Sequence, residues 1–329
     1  MNINRWLIGL IILLEAIIVI FLSTTIIKQN NIKKIISINT ISKNEVKYKK
    51  NNLLKYFYEL EPNTIQKIQV DWLNYNPIYS INSDGLNERY NYTIEKKPNT
   101  FRIITLGDSF VFGQYLKTVK ENWSEKLEDK LNFGKYKCNN YSNYEVINLG
   151  VYGYDIKYSV ERFKNKGVKY NPDLIIFLLK TDDFQMINDY ILPLEEEITK
   201  EMKIDKNSPE YYMKEGVIYP TWNKATNLFI KKYGKKDILA YQKKTLIELI
   251  NIYKNRIIFM SFPGLEKEYK QILLDSAKKR SNIFFYETYN IYGDKNLTFP
   301  DYHPNQKGHL IIAENIFNYL NKNKIIPCN

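Results

Sequence analysis

Phe101-Arg-Ile-Ile-Thr-Leu-Gly-Asp-Ser-Phe-Val-Phe-Gly113 is the stretch on which the fold turns. Ile103 to Leu106 is a short apolar run rich in β-branched residues, with Arg102 before it and Gly107 after it. Such a run reads as a buried parallel strand. An amphipathic helix is predicted from about Val119 to Leu131. A strand ending in Gly107-Asp108-Ser109 sets a Ser at the carboxyl edge of a sheet, where open α/β sheets hold their sites. The turn also offers backbone N–H groups to a developing oxyanion. Taken alone, the stretch fits equally well an ordinary strand–loop–helix turn in which the Ser is a helix cap.

The same rhythm continues outward. Further strands are predicted at 146–149, 174–179, 257–262 and 283–286, and helices at 119–132, 155–166, 237–253, 266–280 and 305–322. Strands alternating with helices argue for an α/β domain over 101–325, a flavodoxin-like three-layer α/β/α sandwich with a central five-stranded parallel sheet. Residues 184–235 are too long for a βα loop and are expected to form an excursion over the site. They are rich in rings: Tyr190, Tyr211, Tyr212, Tyr219, Trp222, Phe229 and Tyr233. Such rings suit stacking on sugars, lining an acyl pocket, or packing on one another. Upstream, 51–100 reads as an arm or small subdomain. In it Val70-Asp-Trp-Leu-Asn-Tyr75 alternates like a strand and Asn82-Ser-Asp-Gly85 reads as a turn.

The N-terminus has another character. Trp6 to Ile27 is almost wholly apolar, interrupted by Glu15, and is long enough to span a bilayer. A signal peptide usually has a shorter core and a small-residue cleavage site, which Phe21-Leu-Ser-Thr-Thr25 matches poorly. The expectation is an uncleaved single-pass anchor within 1–30, then a basic linker at 31–50. Residues 28–50 carry seven Lys and one Glu, so half of the chain's net +12 lies there. Beside an anchor, such charge suits anionic lipid or polymer better than nucleic acid, and no nucleic-acid-binding signature accompanies it. The positive-inside rule would keep this segment cytoplasmic. The chain has two Cys, Cys138 and Cys328; whether they pair is left open.

Four stretches carry chemistry, each at a predicted strand end or in the final loop: Gly107-Asp-Ser109, Asn148-Leu-Gly-Val-Tyr-Gly153, Lys180-Thr-Asp-Asp183 and Asp301-Tyr-His-Pro-Asn305. A Ser hydroxyl is a weak nucleophile until a base takes its proton. The chain has two His. His303 is the better base because it follows Asp301, which can set its tautomer and stabilise the imidazolium. His309, inside the last predicted helix, suits packing or capping. Ser109 is followed by Phe110 and Val111, so no Gly-x-Ser-x-Gly elbow exists. There is no phosphate-binding loop and no metal-ligand pattern, and no cofactor is expected.

In this order and spacing the four stretches resemble the SGNH (GDSL-type) hydrolase family, and within it the bacterial branch with an N-terminal transmembrane helix. The resemblance covers roughly 80–325. It implies Ser109 as nucleophile, Asp301 and His303 as its partners, and an oxyanion hole formed by Ser109, Gly153 and the third-block position occupied here by Asp182. It also implies an esterase or acyltransferase at the bacterial cytoplasmic membrane. Its catalytic domain would lie outside the cytoplasm, against the Lys count, and its substrate would be an acylated small molecule, polysaccharide or lipid. Two departures stand out: Asp-x-His replaces the common Asp-x-x-His, and Asp182 replaces an Asn donor. An ionised Asp182 would repel an oxyanion. Three readings follow. Asp182 is neutral, through burial and its acidic neighbours, and donates; Thr181 or a backbone N–H donates instead; or the site has lost activity and the chain is a carbohydrate-binding or assembly protein that keeps the fold without turnover.

Overall fold

The computed structural model describes residues 57–70, 72–134, 138–201 and 220–328. The Trp6–Ile27 run, the Lys-rich 28–50 segment and Tyr211, Tyr212 and Tyr219 lie outside them. Among the described residues no helix is long and apolar enough to cross a membrane.

Five parallel strands form the sheet: β3 (Thr100–Leu106), β4 (Asn143–Asn148), β5 (Leu174–Leu179), β6 (Arg256–Ser261) and β7 (Ile283–Glu287), in the order β4-β3-β5-β6-β7. This is the 2-1-3-4-5 order of a flavodoxin-like sheet. The strands are buried on both faces, so their sequences run apolar rather than alternating. The alternation survives in which core each side chain enters. Ile175, Phe177 and Leu179 of β5 face one core, with Ile104, Leu106, Ile257 and Phe259. Leu174, Ile176 and Leu178 face the other, with Phe101, Ile103, Ile258 and Met260.

Helices cover both faces. The second core is closed by α2 (Trp123–Phe133) and α8 (Gln306–Lys322), through Trp123, Leu127, Ile312 and Ile316. The first is closed by α3 (Ile156–Arg162), the C-terminal part of α6 (Pro220–Ile252) and α7 (Lys267–Ala277), through Val160, Leu249 and Leu273. Truncating one such side chain to Ala costs about 2–5 kcal/mol.

The remaining elements are α1 (Ser109–Phe112), α4 (Thr181–Gln185) and α5 (Asn188–Glu201). Helix α6 is broken at Gly234, whose φ is +76°. Before the break it packs with α5 into a small core of its own, including Ile187, Ile191, Ala225 and Phe229. Tyr190 lies 6.0 Å from Phe229 and 5.0 Å from Tyr233, ring to ring. The described rings of the excursion therefore pack mainly on one another.

The arm forms an antiparallel pair, β1 (Thr64–Lys67) with β2 (Ile78–Ile81). Asn82 closes the turn that follows, accepting from the N–H groups of Asp84 and Leu86. The described residues of the Val70–Tyr75 segment, Val70 and Trp72 to Tyr75, are not in a strand; they lie between β1 and β2, with a turn from Leu73 N–H to Val70 O at 3.0 Å. Its alternation does not mark a sheet face, because Trp72 finds partners in Tyr115 and Phe299 instead. Buried Arg102 fastens the arm to the sheet. It pairs with Glu145 at 2.6 Å and donates to the carbonyls of Thr93 and Ile94 at 2.9 and 3.1 Å.

Candidate active site

Strand β3 ends at Leu106, and Asp108 caps α1, its carboxylate accepting from Phe110 N–H at 3.0 Å. Ser109 is the first residue of that helix, where a backbone N–H has no intrahelical acceptor. Its Oγ lies 2.8 Å from His303 Nε2. His303 Nδ1 in turn lies 2.9 Å from Asp301 Oδ2. Asp301 Oδ1 also accepts from the His303 backbone N–H at 3.2 Å. The single intervening residue, Tyr302, has a φ of +70°, and in that turn one carboxylate reaches both the backbone and the ring of His303. Phe299 N–H donates to His303 O at 2.7 Å, closing the loop. Asn305 caps α8 by accepting from Lys307 and Gly308 N–H groups. Ser109, His303 and Asp301 thus form one hydrogen-bonded relay, at distances that general-base activation requires.

His309 lies elsewhere. It is fully buried, and its Nδ1 accepts from Trp123 N–H at 3.1 Å, supplying an acceptor to the first turn of α2. Burial pulls its pKa down to about 3, so the ring is neutral.

The second stretch follows β4. Gly150 lets it lie against α1: a Cβ there would sit 2.5 Å from Phe112 N and 2.7 Å from Val111 C. Gly153 has a φ of +74°, and a Cβ on it would meet the Tyr58 hydroxyl at 2.7 Å. Three tethers hold this loop. Tyr58 OH donates to Tyr152 O, and Tyr154 OH donates to Tyr58 O. Asn188 Nδ2 donates to Gly153 O at 2.8 Å. Asp155 caps α3 and also accepts from Asn188 N–H at 2.6 Å; burial raises its pKa to about 6.

The third stretch opens α4 at the end of β5, across the switch point from Ser109. Asp182 is exposed there. The burial expected of Asp182 belongs instead to the next residue: Asp183 is 3 % exposed, and burial drives its carboxyl up. A residue that sequence reasoning passed over, Lys180, is buried at the centre. Its Nζ pairs with Asp108 Oδ2, lies 3.5 Å from Asp183 Oδ1 and stands 4.8 Å over the Phe110 ring. Burial alone would lower its pKa, but Asp108 and Asp183 outweigh burial and hold it above the ordinary value. Asp108 Oδ2 is also 3.4 Å from Ser109 Oγ. A lone Lys ending an all-apolar strand and followed by two Asp was the available signal.

Cys138, before β4, and Cys328, near the C-terminus, form a disulfide with Cα atoms 5.1 Å apart. Among the described residues no group of three or more His, Cys, Asp or Glu is arranged to hold a metal ion.

No family model matches the chain, and no curated protein matches it. Solved structures similar to it include TesA, at 12% identity over 67% of this chain and 98% of that one, with a TM-score of 0.43. A family two carbohydrate esterase from Clostridium thermocellum in complex with cellohexaose is 14% identical over 70% of this chain and 67% of that one, with a TM-score of 0.42. A catalytic mutant of Axe2, an acetylxylan esterase from Geobacillus stearothermophilus, is 16% identical over 71% of this chain and 98% of that one, with a TM-score of 0.44. At such values the activity has to be argued from this chain's own residues.

Proposed function

We propose that the chain is a membrane-anchored serine esterase or acyltransferase of the SGNH type, acting on ester-linked acyl groups. The observation that carries this reading is the relay from Ser109 Oγ through His303 to Asp301, at 2.8 and 2.9 Å. Ser109 attacks the ester carbonyl while His303 Nε2 takes its proton, and Asp301 steadies the imidazolium. The N–H groups of Ser109 and Gly153 receive the oxyanion. His303 then protonates the departing alcohol, leaving an acyl group on Ser109. Water or a second hydroxyl, deprotonated by His303, resolves it in a ping-pong cycle. Envelope polysaccharide and lipid are the proposed sources of the acyl ester.

The proposed placement is a single-pass anchor at Trp6–Ile27 with the domain outside the bacterial cytoplasm. Its support is the Cys138–Cys328 pair, since disulfides persist in oxidising compartments. Protease treatment of intact spheroplasts should digest the domain; full protection would reverse the orientation.

A second reading, a binding protein that keeps the fold without turnover, is favoured by one observation, the Asp at position 182 in place of an amide donor. A fluorophosphonate probe separates the two. Labelling of the wild type but not of Ser109→Ala establishes an active serine enzyme. A wild type that resists labelling leaves the binding reading.

A further inference from the structure

Beside His303 stands a wall of rings drawn from three parts of the chain. Trp72 comes from the β1–β2 loop, Tyr115 from the segment after α1, and Phe299 from the loop that carries Asp301 and His303. Tyr115 packs edge-on against His303 at 5.2 Å between centroids. Trp72 lies 5.1 Å from Tyr115 and 5.6 Å from Phe299, and Tyr115 lies 6.0 Å from Phe299. All three are half-buried, so the wall is neither core nor free surface.

The backbone holds the wall in place at some strain. Tyr115, packed against His303, and Tyr302, the residue before it, have φ of +67° and +70°. Bulky residues rarely occupy that region, and where they do the surroundings must hold them. Here Tyr115 N–H donates to Tyr79 OH at 3.0 Å, and Tyr115 O accepts from Tyr75 OH at 3.0 Å. The chain thus pins a ring beside the base at two backbone atoms.

The chemistry of the relay says which part of a substrate meets this wall. A base that takes the proton of Ser109 must hand it to the alcohol oxygen that leaves, so the alcohol part of the ester lies on the His303 side. We infer that Trp72, Tyr115 and Phe299 form the subsite for that alcohol, and that the alcohol is a sugar ring of a neutral glycan. This rests on the proposed roles of Ser109 and His303. Half-exposed rings offer apolar faces to the C–H side of a pyranose. The residues 72–77, Trp-Leu-Asn-Tyr-Asn-Pro, carry no charge, and Asn74 and Asn76 are exposed amides able to bond sugar hydroxyls. Tyr302, 64 % exposed, adds a phenol next to His303. An anionic headgroup would find no cation in that loop segment.

The test is direct binding to the full chain carrying Ser109→Ala, in a non-glycosidic detergent, by saturation-transfer NMR and calorimetry. The probes are cellotetraose, xylotetraose, mannotetraose and chitotetraose. At least one should bind, and Trp72→Leu and Phe299→Leu should each weaken it about tenfold or more, roughly the effect of one lost stacking contact. Leu keeps apolar volume while removing the ring; unchanged thermal melting shows that each variant is folded. Binding that both variants leave intact overturns the inference, as does failure of all four sugars to bind. The fluorophosphonate result is separate. A labelled Ser109 without sugar binding removes the subsite and leaves the esterase. Sugar binding at these rings, with Ser109 unlabelled, does the reverse.

Discussion

The two sides of Ser109 are built of different material. Around His303 the neighbours are rings, buried Phe110 and half-buried Tyr115, and the carboxylate Asp301 is engaged with the base twice. At the tip of β5, Lys180 is buried among Asp108 and Asp183, with Asp182 exposed beside them. The first side is a proton relay whose parts fit without charge compensation. The second is a buried ion pair, Lys180 with Asp108, packed beside the Asp183 carboxyl, which burial drives up. The contrast teaches that the Ser109–His303–Asp301 relay and the ionic cluster at the tip of β5 are separate pieces of the site that can be perturbed one at a time.

Mutation of the relay should have the largest effect. Ser109→Ala and His303→Ala are each expected to lower kcat on a soluble ester by about 10⁴–10⁶, with the double variant little worse, because one unit is removed only once. Asp301→Asn should cost about 10⁴ by releasing the imidazole tautomer. Additive losses in the double variant would break the relay as a unit.

Next comes the ionic cluster. Lys180→Met leaves buried carboxylates uncompensated and should cost about 3–5 kcal/mol in urea unfolding. Adding Asp108→Asn should recover part of that loss. A stable Lys180→Met would show that water already screens the cluster.

Asp182 sharpens the contrast at the oxyanion. Asp182→Asn puts an amide N–H donor at this position, and kcat is expected to rise by up to about 10², the scale of one such donor. An unchanged kcat would assign the oxyanion to backbone N–H groups alone.

Away from the site, His309→Ala should barely alter kcat but cost about 1–3 kcal/mol of stability, since it strips a buried acceptor from α2. Loss of activity without loss of stability would make His309 the base.

The smallest effect is that of pH on stability. Burial raises Asp155 to about 6 and Glu128 to about 7 in the folded chain. The ordinary values, which the unfolded chain keeps, are 3.8 and 4.5. The folded state therefore holds these protons to higher pH. Their stabilising contribution is complete below the unfolded values and is lost as pH rises through 6 and 7. Calorimetry should give a higher Tm at pH 5 than at pH 8, and Glu128→Gln should flatten the upper part of that fall.

Much of this could be read from local pattern. Short apolar runs, one bounded by Arg102 and Gly107 and one by Asp173 and Lys180, place β3 and β5 within a few residues, because burial on both faces leaves that signature in composition. Ser109, Gly153, Asp301 and His303 stand out because each sits in a short motif at an element's edge, and the carboxyl edge of a parallel sheet gathers such edges together. Pairings that span the chain were decided otherwise. Lys180 meets Asp108 only because β5 lies beside β3, and which strands become neighbours is not written in either one. His309 finds Trp123 across 186 residues. Cys138 and Cys328 are joined across 190. Val70–Tyr75 carries a strand's alternation, yet its Trp72 packs on rings supplied by two other loops. Periodicity records how a segment meets its immediate surroundings, whereas the partner of a buried charge, a buried imidazole or an exposed-edge ring is chosen by the arrangement of elements, and that exists only once the chain has folded.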